Sequence, residues 1–244
     1  MCLEQYKFKK VNFKIIQSTL TLLFLCLFFT TKAQETEKIP ELSRFNFKVN
    51  VAIPTIVSNK ALRNSFRGIY DAGANLQLRL FKGVYLGVLG NYTGFKIAGD
   101  KIALLNTECR TATSGLNLGY EKFSSPRIMW YVNIAAGYNW INYSKIQCTD
   151  SIHPVKNFQA WSYRPSAGFT YYSDNNFSLG LYGSYTILMN QFNADNLCLQ
   201  DFGTFRASDS KGNTNYFSIG IVLNFNLRKD LFIGSEESDA EEEN

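Results

Sequence analysis

Residues 216–227, YFSIGIVLNFNL, lie near the C-terminal end of a 244-residue chain and are two sequences interleaved. Phe217, Ile219, Ile221, Leu223, Phe225 and Leu227 alternate with Tyr216, Ser218, Gly220, Val222, Asn224 and Asn226. Successive side chains of a strand point to opposite faces, so this spacing predicts a strand with one wholly apolar face and one small, largely polar face. At 12 residues it slightly exceeds the roughly 9–11 that a tilted strand needs to cross a bilayer.

The same two-faced reading recurs seven times upstream, over 44–53, 69–81, 84–97, around 113–121, and over 128–142, 160–172 and 176–189. Four long polar connections are expected at 54–68, 98–110, 143–159 and 190–214. They alternate with tight turns at Lys82-Gly83, Ser124-Ser125-Pro126 and Ser173-Asp174-Asn175. Strands that run up and down in turn place all long loops at one end and all tight turns at the other, the layout of an outer-membrane barrel. The fold class predicted is all-β, an eight-stranded antiparallel up-and-down transmembrane barrel over 44–228. Pro165 falls mid-strand, where it cannot donate to a ladder, and a bulge is expected there.

Period two alone does not say which face is inside. A soluble barrel turns its apolar face inward around a ligand and a membrane barrel turns it outward. Aromatic residues near the strand ends (Tyr70, Trp130, Trp140, Trp161, Tyr171, Phe177) suit girdles at headgroup level. The opposite faces are dense in Gly, Ser and Asn, which suits a narrow packed interior. Lys48, Asp71, Arg79, Glu121 and Arg164 share that face, and charges in a dry interior need partners. Lys48, Arg79 and Glu121 count to similar depth near the tight-turn end and are expected to share one ion-pair network. The third strand fits least well, because Tyr85, Leu89 and Phe95 fall on its polar side.

The front of the chain reads as an export signal over 1–33. Lys7, Lys9, Lys10 and Lys14 precede an apolar run from Ile15 to Phe29, and Thr31-Lys32-Ala33 offers small residues for cleavage near Ala33. A lead-in over 34–43 follows. The tail, 229–244, carries Asp230, Glu236, Glu237, Asp239, Glu241, Glu242 and Glu243 against the single base Lys229. The intervening body, 34–228, holds nineteen basic and twelve acidic residues. For an exported chain the counter-charge implied is the anionic headgroups of outer-membrane lipid or lipopolysaccharide, and not nucleic acid. Beyond the signal, Cys109, Cys148 and Cys198 stand far apart with no CxxC pair, so a metal site is not expected and one disulfide among the three is. No cofactor motif is present. His153, the one histidine, sits in a polar loop beside Pro154 and reads as solvated rather than catalytic.

These features together resemble the small OmpA/OmpX-like outer-membrane barrels. The signal end at Lys32-Ala33-Gln34 and the aromatic strands are most similar to PorT-like outer-membrane β-barrel-domain proteins. The resemblance implies outer-membrane localisation and a non-enzymatic structural or interaction role. A partner, such as a secretion or surface assembly, would then bind the long loops, the periplasmic face or the acidic tail. A narrow small-solute pore is the alternative, and a lipid-modifying barrel enzyme a more distant one. The side chains that fill the interior of an eight-stranded barrel argue against the pore.

Overall fold

A computed structural model describes residues 42–58, 60–97, 108–144, 157–173, 177–193 and 211–227. The signal at 1–33, most of the lead-in and the tail at 229–244 lie outside the described residues. Every two-faced segment is a strand: β1 (Phe45–Ile56), β2 (Phe66–Phe81), β3 (Val84–Ile97), β4 (Glu108–Ser125), β5 (Ile128–Ser144), β6 (Asn157–Tyr172), β7 (Phe177–Asn193) and β8 (Lys211–Leu227). Each pairs antiparallel with its sequence neighbour, and β1 closes on β8 from Phe45↔Leu227 to Ile56↔Tyr216. Closure leaves no sheet edge, the condition for placing strands in hydrocarbon.

At the tight-turn end, hereafter the lower end, Lys82 and Gly83 both take positive φ, at 29° and 86°. A two-residue turn with that geometry matches the twist of the strands it joins. A Cβ on Gly83 would stand 2.4 Å from the Glu121 carbonyl oxygen, so glycine also admits the neighbouring strand.

The large apolar residues point outward. Ile134 is 65% exposed and Ile219 61%, figures that would be costly in water and are ordinary against lipid. Aromatic rings gather in two outward belts. Near the upper, long-connection end Tyr70 stacks on Tyr92 at 5.9 Å, and Tyr138 touches Trp140 and Trp161 at 5.2 and 5.8 Å. Near the lower end Tyr120 meets Trp130 at 5.5 Å, and Phe225 meets Phe177 and Phe47 at 5.4 and 6.2 Å.

Four expectations are corrected. Strands run further into the upper connections than the pattern indicated; β8 begins at Lys211 and β4 at Glu108. The cause is an interior that is apolar at its upper end, where Phe66, Cys109, Tyr143 and Leu188 point inward, so that alternation of apolar-out and polar-in breaks down. The first long connection contains a helix, α1 (Lys60–Ser65), which buries Ala61, Leu62 and Ser65. Tyr85 and Phe95, read as misfits of β3, are inward and buried. Pro165 produces no bulge: its register with β5 is continuous, and β6 keeps one register with β7 on both sides of a gap at 164–165. The bulges lie elsewhere, between Gly68 and Tyr70 and between Phe123 and Ser125, among others.

An outside built for hydrocarbon makes a depth-dependent prediction. Ile219→Arg, mid-strand, is expected to cost about 2–4 kcal/mol in lipid vesicles, and Leu80→Arg beside the lower turn about 0–1. Equilibrium unfolding in urea measures both, and equal small costs would indicate an aqueous exterior.

Candidate functional site

The inner faces close the barrel with five layers. Lowest, Phe123, Met129, Tyr131, Tyr172 and Tyr182 form an apolar cluster. Phe123 and Tyr172 lie 5.1 Å apart, and Tyr85 donates its hydroxyl to the Ser43 carbonyl at 2.9 Å.

Above it is the first ion pair. Lys48, on β1, bonds through Nζ to Glu121 Oε1 on β4, and the ammonium stands 4.1 Å from the centroid of the Tyr131 ring. Asn46 Nδ2 donates to both Glu121 oxygens at 3.1 Å. The carboxylate thus holds a cation and an amide while 1% exposed. Unpaired there, it would carry the full cost of removal from water.

The third layer is polar and roomy. A cavity of about 40 Å3 is bounded by Lys48, Asn50, Asn117, Asn133 and Arg164 among others. Asn50 Nδ2, Asn117 Nδ2 and Oδ1 and the Tyr131 hydroxyl have no protein partner. A polar space of this size takes ordered water, which supplies such partners.

The second ion pair lies higher. Arg164 Nη2 donates to Asp71 Oδ2 at 2.5 Å, and the other carboxylate oxygen accepts from Asn91 Nδ2 at 2.7 Å and Thr93 Oγ1 at 3.1 Å. Arg164 Nε also donates to Ser184 Oγ at 3.2 Å. Ser184 belongs to β7 and Arg164 to β6, so this side-chain bond spans the strands beside their ladder gap.

The upper mouth is sealed by the second apolar cluster. Leu62 of α1 is enclosed with Phe66, Phe95, Ile141 and Tyr216, and Phe95 meets Tyr216 edge-on at 5.3 Å.

The five interior charges predicted from sequence therefore resolve into two separate pairs and one residue apart. Arg79 is only half-buried and turns its guanidinium to the Leu42 carbonyl at the lower mouth. The Glu121 oxygens are already held by Lys48 and Asn46, so the three-residue network expected at this depth does not form. Cys109 is a free thiol in the upper apolar cluster, which removes it from the expected disulfide; Cys148, Cys198 and His153 lie outside the described residues. The described residues contain no cluster of metal-ligating side chains. Reading alternate positions as simply polar missed both end clusters and α1, although Tyr85, Phe95 and the apolar Ala61-Leu62 pair were signals.

Outside the wall, small residues leave a hollow of about 610 Å3 over Pro165, Ala167 and Gly183, flanked by Leu118, Ile134 and Phe217. Its lining is apolar and faces hydrocarbon.

The barrel's shape has known counterparts. The chain is similar in structure to Neisserial surface protein A at a TM-score of 0.51 and 13% identity, over 76% of this chain and 98% of that one. OprG of Pseudomonas aeruginosa aligns over 78% of this chain and all of its own at 10% identity and a TM-score of 0.43. Ail of Yersinia pestis aligns over 76% and all of its own at 12% and 0.39. The fold is that of a small eight-stranded outer-membrane barrel. No family model matches the sequence, and no curated protein does.

The first ion pair makes a stability prediction. Glu121→Ala leaves Lys48 buried without its carboxylate and is expected to cost about 3–5 kcal/mol, whereas Lys48→Met with Glu121→Leu recovers most of that loss. Arg79→Ala, which strips no buried acid of its partner, is expected to cost under about 1 kcal/mol. Thermal unfolding in one detergent compares the three.

Proposed function

We propose that this protein is an integral outer-membrane barrel that does not conduct, does not catalyse, and acts as a rigid platform for an interaction at its ends. The observation that carries this reading is the double closure of the lumen. Apolar clusters seal both mouths, and the polar cavity between them is about 40 Å3, room for a few waters and not for a file of them.

An interior so filled leaves two places for function, the ends and the outer wall. The upper end carries the longer connections, and loops held by a rigid scaffold are where binding residues concentrate. The likeness in fold to Neisserial surface protein A supports the outer membrane as its location. Within that class the resemblance to PorT-like proteins favours a partner in a secretion or surface assembly. In this reading 1–33 is removed on export, the long connections face outside among lipopolysaccharide, and the acidic tail faces the periplasm. Cofactor and metal play no part.

Planar-bilayer recording tests the closed lumen: the folded chain is expected to add no ohmic conductance, and steady single-channel steps would replace this reading with the pore. Orientation is tested separately with single cysteines in a background where Cys109, Cys148 and Cys198 are Ser. A membrane-impermeant maleimide on intact cells is expected to label Asn64→Cys on the exposed side of α1 and spare Lys82→Cys. The converse pattern would invert the barrel.

A further inference from the structure

The residues just above the upper aromatic belt on β2, β3 and β4 carry charge of mostly one sign. Arg67 and Lys96 are direct cross-strand partners, and both are exposed. Side chains so placed stand about 4.5–5.5 Å apart at Cβ, and like charges there repel. On its other side Lys96 is opposite Glu108, but that carboxylate is held by Arg110 at 2.7 Å. Arg63, on the exposed side of α1 four residues before Arg67, adds a further cation. Among the described residues of this patch, Arg63, Arg67, Lys96 and Arg110 face the single acid Glu108. Nothing in the barrel's construction calls for this: uncharged polar residues would serve at the end of a strand.

The floor beneath the patch sets its depth. Tyr70 is opposite Gly94, two residues before Lys96 on β3, and its ring stacks on Tyr92 at 5.9 Å. A Cβ on Gly94 would approach the Tyr70 ring to 2.6 Å, so glycine here lets that ring lie across β3. Aromatic belts mark the headgroup boundary of a membrane barrel. Cations one rung above such a belt stand at the level of lipid phosphates. Below the rings the wall is open and apolar, with Leu86 and Val88 exposed.

We infer that Arg67 and Lys96, with Arg63 and Arg110 flanking, form a binding site for the phosphate of an acylated glycolipid in the leaflet at the long-connection end. Arginine presents two parallel N–H groups to a phosphate and lysine a compact charge. One phosphate between them converts the cross-strand repulsion into two attractions. The Tyr70–Tyr92 stack seats the sugar edge, and acyl chains run down the exposed wall. A soluble polyanion would satisfy the cations but leave the rings and wall unused, which is why the lipid-borne phosphate fits better.

The test uses the full chain folded in neutral detergent micelles. Three probes are added in turn: a diphosphorylated acylated glucosamine disaccharide, the same lipid without phosphates, and inorganic phosphate. Native mass spectrometry reads the lipid retained, and the heat-modifiable unfolding midpoint reads protection. The phosphorylated lipid is expected to bind and protect, and the other two to do neither. Arg67→Gln with Lys96→Gln is expected to weaken it roughly twenty-fivefold, about fivefold per cation lost at a charged surface. Arg44→Gln with Lys82→Gln, at the lower rim, leaves it unchanged. Without lipid the Arg67/Lys96 double variant should be at least as stable as the native chain, because the repulsion is gone; should it fail to fold, Lys96→Gln alone is expected to weaken binding about fivefold. Equal losses from the upper and lower variants, retention of the dephosphorylated lipid, or the same protection by inorganic phosphate would each overturn the site. None of these outcomes depends on whether the lumen conducts or a partner binds the loops.

Discussion

In hydrocarbon there is no water to accept a spare backbone hydrogen bond, and the whole molecule answers to that constraint. Eight strands close into a ring, with β1 against β8 over twelve residue pairs, so no strand has a free side. Pro165 is where the constraint is strained. It has no N–H, and the β6–β7 ladder omits the rungs at 164 and 165. The neighbouring side chain compensates: Arg164 reaches Ser184 on the facing strand and Asp71 across the lumen. The seam whose ladder is interrupted at the proline is joined there through a buried guanidinium, which has donors to spare.

Closure at eight strands also dictates the inside. The lumen is only as wide as side chains can fill, and what fills it must satisfy its own polarity. The two ion pairs sum to zero charge, and their carboxylates are further held by amides and a hydroxyl. Three of the amides with an unpartnered atom, Asn50, Asn75 and Asn117, line a polar cavity large enough for water. Both ion pairs and this cavity lie between the two apolar clusters that close the mouths. This is the inverse of a pore, whose mouths are wet and whose constriction is narrow.

That inversion explains what could be read from the residues in order. Mid-strand, outside is lipid and inside is polar, and period two reports the face without ambiguity; strand count, closure and the inward positions of Lys48, Asp71, Glu121 and Arg164 were all legible there. At the upper end the inner face turns apolar while the outer face carries Arg67, Lys96 and Arg110, so the alternation inverts and Phe66, Cys109 and Tyr143 looked like parts of loops. The helix at Lys60–Ser65 is too short for a 3.6-residue pattern to emerge. Pairing among the interior charges was beyond reach for a different reason. It depends on how strand tilt staggers Lys48, Arg79 and Glu121, and stagger is a property of the closed barrel.

Buried ion pairs stabilise little against a packed apolar core, yet a core of leucine would have served this barrel poorly. A strand apolar on both faces could slip by one residue against its neighbour and lose nothing, because lipid accepts whatever it is shown. With polar residues on one face, the same slip turns every inward group outward. For β1 it would place Asn46, Lys48 and Asn50 in the bilayer, and for β2 Asp71, Asn75 and Gln77. A charged group at mid-depth on the lipid face costs about 2–4 kcal/mol, and the penalty falls on every displaced residue together. The lumen's charges and amides thus act chiefly against the wrong registers. They hold Phe47 to Phe225 and Tyr70 to Tyr92 in the belts, and they keep Arg67 opposite Lys96 at the rim, where the position of one phosphate-sized gap depends on a register set inside the barrel.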